Sequence, residues 1–179
     1  KALKGELRGT PKPSGIRSLE RIDPSRFNIL CVPDAAKLKP AAMIQTYAEA
    51  TNFCEEEDAF LIVDPGKEIV DRSEARDQID AIRSWITTGD GGQLRHRNAG
   101  IYFPQVEIAD SLNNYKPRAI GASGTLAGIY ARTDTARGIW KAPAGAEATL
   151  RAAEPAVTVG PKFNGVLNDL GINVIRAFP

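Results

Sequence analysis

The chain has 179 residues, 42% hydrophobic and 25% charged, with a net charge of +1. That composition suits one soluble-type globular domain with a single sizeable core. It supplies no strong field for recruiting nucleic acid or an anionic membrane, and no apolar run approaches the roughly 20 residues of a membrane span.

Lys1 to Ser18 is rich in Gly, Pro, Lys and Ser, and reads as an extended or flexible entry segment. Residues 19–179 read as an α/β core. Phe27 to Val32 is a continuous apolar run and predicts a strand covered on both faces. Pro40 opens a helix on which Met43, Ile44, Tyr47, Ala48 and Thr51 recur at helical spacing. Glu55 to Asp58 ends it. Ala59 to Val63 is a second covered strand, stopped by Asp64-Pro65-Gly66. Asp71 and Glu74 have the spacing of a capping box for a helix carrying Ile79, Ile82, Trp85 and Ile86 as far as Thr88.

Gly89 to Gly92 predicts a turn. Ala99 to Phe103 predicts a third strand, and Val106 with Ile108 a fourth, edge-like one. Asp110 to Gly121 reads as a loop. Gly121 to Gly145, GASGTLAGIYARTDTARGIWKAPAG, is the stretch around which the rest is arranged. Ser123 is positioned to cap a helix through its hydroxyl, with Leu126, Ala127, Ile129, Tyr130 and Ala131 forming an apolar face. Gly138 suits the left-handed end of that helix, with Arg137 in its last turn. Ile139 and Trp140 are expected to turn inward, with Trp140 buried against the helix. Leu150, Val157 and Val159 fall in short extended segments. Pro161 to Leu170 predicts a last helix and Ile172 to Phe178 a last strand. The alternation of strand and helix predicts a mixed α/β fold with a largely parallel sheet flanked by helices.

Residues of catalytic type are scattered. Gly121-Ala122-Ser123-Gly124-Thr125 misses the nucleophile elbow at its last position, and His96, the sole histidine, lies upstream of the serine. No phosphate loop occurs, and Gly89 to Gly92 follows a helix instead of a strand. Four adjacent acids at Glu55 to Asp58 diverge too much to converge on one cation, and Glu107 with Asp110 has no mark of an acid–base pair. Cys31 and Cys54 sit in apolar settings and read as free thiols. The expectation is a non-enzymatic chain with no catalytic, cofactor or metal site. The alternative the α/β pattern permits is a small nucleotide- or cofactor-binding enzyme domain.

AGIYARTDTARGIWKAPAG resembles the signature of contractile tail sheath proteins, of phage tails, phage-tail-like bacteriocins and extracellular contractile injection systems. SLERIDPSRFNILCVPD, AGIYFPQVEIADSL and LNDLGINVIRAFP resemble further stretches of the family, in order, from Ser18 to Pro179. Ser111 departs from the usual proline. Type VI secretion sheaths are less similar in this signature. The resemblance implies a structural subunit. It polymerises with copies of itself around an inner tube above a baseplate, in a virion tail or tail-like particle assembled in the bacterial cytoplasm. Contraction drives the tube through a target envelope. The resemblance also implies that Ser123, Gly128, Tyr130, Arg132, Asp134, Arg137, Gly138 and Trp140 form a structural motif, with Arg132, Asp134, Arg137 and Lys141 as subunit contacts. Neither nucleic acid nor membrane is an expected partner. Family members continue beyond Pro179, so a fragment without the N-terminal arm and C-terminal domain is expected, monomeric or at most weakly self-associating.

Overall fold

The computed structural model describes residues 15–21 and 27–177. The fold is mixed α/β, built on a four-stranded, wholly parallel sheet. Its strands are β1 (Ile29–Cys31), β2 (Phe60–Val63), β3 (Ala99–Phe103) and β7 (Ile172–Val174), in the spatial order β1-β2-β3-β7. Alternation along each strand divides the core in two. Leu30, Leu61, Val63, Ile101, Phe103 and Ile172 face one side. There they meet α1 (Pro40–Glu56), α3 (Ala75–Thr87) and α5 (Pro161–Asp169) through Tyr47, Phe53, Ile79, Ile82 and Leu167. Three helices on one face fit right-handed crossovers between strands laid down in one direction.

Ile62 and Tyr102 point to the other side, where Ile29, Cys31 and Phe60 join them. That side is covered by α4 (Ser123–Arg137) and by a second, antiparallel sheet. The second sheet has the order β5-β4-β6, from β4 (Val106–Asp110), β5 (Lys116–Ile120) and β6 (Ala153–Pro155). A cis peptide at Phe103-Pro104 lies where the chain leaves the parallel sheet to start β4.

Several expectations change. Val106 and Ile108 lie on the central strand of the second sheet, not on an edge. Residues expected to form a loop make β5, a strand exposed along both faces except at its end. Such a strand carries no apolar alternation, and its Pro117 is tolerated because β5 is at a sheet edge. Asp71 closes the short helix α2 (Lys67–Val70) instead of capping α3, whose N-cap Glu74 makes no side-chain capping bond. The first and last strands are shorter than expected. Phe27 stacks on Phe53 instead of pairing, with ring centroids 5.6 Å apart.

The entry segment lies outside the described residues over 1–14. Its end is structured: Gly15–Arg21 is a 3-10 helix whose Ile16 and Leu19 pack on the core. Arg17 bridges Glu20 and Glu56, both at 2.9 Å. The Glu55 to Asp58 run is thus partly paired, with Glu55 also 2.8 Å from Arg97 and 3.6 Å from His96.

Candidate functional site: the central helix and its anchor

The helix α4 begins two residues after β5, and its start is tied to the parallel sheet by Asp64, the residue that follows β2. Asp64 is 2% exposed. Its Oδ2 accepts from the Ser123 hydroxyl at 2.6 Å and its Oδ1 from the Ser123 amide at 3.0 Å. The Ala122 amide also donates to this carboxylate. A carboxylate at a helix N-terminus meets both the unpaired amides and the positive end of the dipole. The cap is therefore supplied by Asp64, 59 residues away in sequence. Ser123 is the first helical residue and donates its hydroxyl instead of accepting with it, which corrects the expected role.

Burial pushes the Asp64 carboxyl above the ordinary carboxylate range, opposed by the donors from Ser123 and Ala122. Tyr47 holds the same residue from the other side, its hydroxyl donating to the Asp64 carbonyl at 3.1 Å. Cys31 donates to the Ser123 carbonyl at 3.4 Å. Both cysteines are free, and burial pushes the Cys54 thiol up to about 12. His96 precedes β3 and contacts Glu55, beyond the opposite end of β2 from Asp64. The only imidazole thus stands at the far end of the sheet from Ser123, and the serine hydroxyl is committed to a carboxylate. That geometry does not make a nucleophile. The parallel sheet's order also never reverses, so among the described strands it has no crevice of the kind in which open α/β sheets hold cofactors.

Along α4, Leu126 and Ile129 are buried and Tyr130 half-buried. Tyr130 stacks on Phe60 at 5.6 Å and shares a 2.7 Å hydrogen bond with the Tyr102 hydroxyl. Ala131 is exposed instead of inward-facing. Gly124 and Gly128 face open space, with nothing within 4 Å of where a β-carbon would stand. Arg132 donates to the carbonyls of Thr149 at 2.8 Å and Glu147 at 3.3 Å. Arg137 pairs with the Glu147 carboxylate at 3.0 Å. These two arginines clamp the returning chain onto the helix. Asp134 is half-buried and its carbonyl accepts from the Gly138 amide.

Gly138 ends α4 at φ 93°, ψ 158°. Past it, Ile139 is 81% and Trp140 85% exposed. The expectation of a buried Trp140 is wrong. The glycine turns the chain outward, away from the core, and the indole folds back only over Gly138, where a β-carbon would run into its ring. Lys141 folds onto the neighbouring Ala142 carbonyl at 3.0 Å. Sequence reasoning missed Asp64, which it read only as a strand stop. A buried acid ending an apolar strand was the available signal, since such an acid requires donors.

No protein-family model and no curated protein matches the chain. Among the described residues no helix is long and apolar enough to cross a membrane.

Proposed function

We propose that this chain is the α/β body of a contractile sheath subunit, which polymerises around an inner tube and shortens to drive it through a target envelope. The observation that carries the proposal is the stretch from Ala127 to Gly145 and its similarity to the sheath signature. Its geometry supports a role in assembly over one in chemistry. The helix is anchored at its start by Asp64 and held along its length by Arg132 and Arg137, while Ile139 and Trp140 stand at the surface with Lys141 half-buried beside them. A rigid element presenting apolar and cationic side chains suits a contact with a neighbouring subunit. Arg132, Asp134, Arg137 and Lys141 would lie at or beside that contact, with copies of the same chain as first partners and the inner tube and baseplate as others.

An antibody against this chain should detect it as a major component of sedimentable tail-like particles from the producing cells. Its confinement to the fraction of small, unassembled proteins would contradict the proposal. Thermal melts against nucleotides and dinucleotides separate this reading from that of an enzyme domain. A ligand present at a hundred times its dissociation constant adds about 2.7 kcal/mol of stability, so a binder would be plain.

A further inference from the structure

We propose that the tip of the β4–β5 hairpin docks into the groove between α3 and α5 of a second copy of this chain. Three sets of observations lead there. The first concerns the hairpin. β6 pairs only with Val106 to Ile108 of β4, so from Ala109 to Pro117 the hairpin is a two-stranded ribbon. All of 111–119 is exposed. Two-stranded ribbons are marginal in water without a further layer. This one is nevertheless closed tightly, with the Tyr115 amide donating to the Asp110 carbonyl at 2.8 Å and the Leu112 amide to the Asp110 carboxylate at 3.0 Å. The closed tip holds Leu112 95% and Tyr115 71% exposed. Tyr115 has φ 58°, a conformation that glycine adopts freely and tyrosine does not. Stability alone would favour a glycine and polar residues here.

The second concerns the groove. Asp80, Arg83, Ser84 and Thr87 recur at helical spacing along one face of α3, and Val166 and Leu170 face them from α5 and its end. Val166 is one of five large exposed hydrophobic residues among those described; two of the others are Leu112 and Tyr115.

The third is charge. Lys116, beside Tyr115, and Asp169, beside the groove floor, are both exposed, and neither makes an ion pair among the described residues. An apolar knob with a free cation thus matches a groove in which Val166 and Leu170 offer the apolar contact and Asp169 a free carboxylate. In one molecule the parallel sheet stands between them, because α3 and α5 cover one face and the second sheet the other. The match is met only between copies. Knob and groove are different surfaces, so the contact is head-to-tail and does not close on itself. It sharpens the sheath reading by naming one contact, yet stands on this geometry alone.

The test is nuclear magnetic resonance of isotope-labelled chain titrated with unlabelled chain up to millimolar concentration. The amide signals of Ser84, Thr87 and Val166 should shift. An unlabelled Leu112→Ser chain should not shift them, and neither should Lys116→Asp. Labelled Asp169→Lys should recover the shifts when the added chain carries Lys116→Asp. All three substitutions are at exposed positions, and Lys116→Asp sets a like charge across from Asp110, so each variant's own amide spectrum is compared with the parent's to check that the hairpin still closes. Groove shifts that persist with Leu112→Ser, shifts confined to other surfaces, or none at millimolar concentration would each overturn the proposal. Such a failure leaves the sheath reading standing, since that reading is decided by where the chain sits in particles.

Discussion

Asp64 grips Ser123 twice, through its hydroxyl at 2.6 Å and its amide at 3.0 Å, and so joins the end of β2 to the start of α4. Removing the carboxylate strands both of the Ser123 donors. Asp64→Ala should lower stability by roughly 2–5 kcal/mol, read from urea melts. A loss under about 1 kcal/mol would mean that water or a shifted neighbour replaces the anchor.

The same pair has a pH signature. Burial holds the folded Asp64 carboxyl above its ordinary value of 3.8. A folded group that binds its proton more tightly than the unfolded chain adds stability that is full below the unfolded value. That contribution is lost as pH rises through the raised folded value. The advantage of the parent over Asp64→Asn should therefore shrink as pH rises across the carboxylate range. An advantage that grows with pH would reverse the sign and refute the burial argument.

Two glycines near the anchor should behave oppositely. A β-carbon on Gly121 would stand 2.6 Å from the Asp64 carboxylate, so Gly121→Ala must displace it and destabilise the fold. Gly128 faces open space in the middle of α4, and Gly128→Ala should stabilise by about 0.5–1 kcal/mol. Thermal melts of the two variants decide it; equal shifts would contradict the placement of Gly121.

Trp140→Ala should change stability by no more than about 0.5 kcal/mol, since the indole is 85% exposed. Fluorescence quenching by iodide should reach Trp140 readily and Trp85, half-buried over Gly91, much less. Equal protection of both would restore the buried placement.

Arg132→Ala should release the segment that returns along α4, because the guanidinium holds the Glu147 and Thr149 carbonyls. Amide exchange over 145–150 should quicken, with a stability loss of about 1 kcal/mol. Unchanged exchange there would show that Arg137 and Glu147 suffice.

Strands β1, β2 and β3 and helices α1, α3, α4 and α5 were legible because apolar period and Pro or Gly punctuation agree there. Pro40 and Pro161 stand at helix starts and Gly171 just past a helix end, as expected. β5 was not legible, since Lys116-Pro117-Arg118-Ala119 buries nothing and needs no pattern. Trp140 misled because its place beside Ile139, after the helix-ending Gly138, argued for burial, while the direction taken after Gly138 is a backbone property. The Asp64 anchor joins residues 59 apart, and no local spacing reports such a contact.

The sheath reading is tested most directly by immunogold electron microscopy of tail-like particles from the producing cells, with antibody against this chain. Gold along the whole sheath in extended particles, and only on the shortened, widened sheath in contracted ones with the bare tube unlabelled, is the predicted result. Gold confined to the tube, the baseplate or the head, or absent from particles altogether, would contradict it.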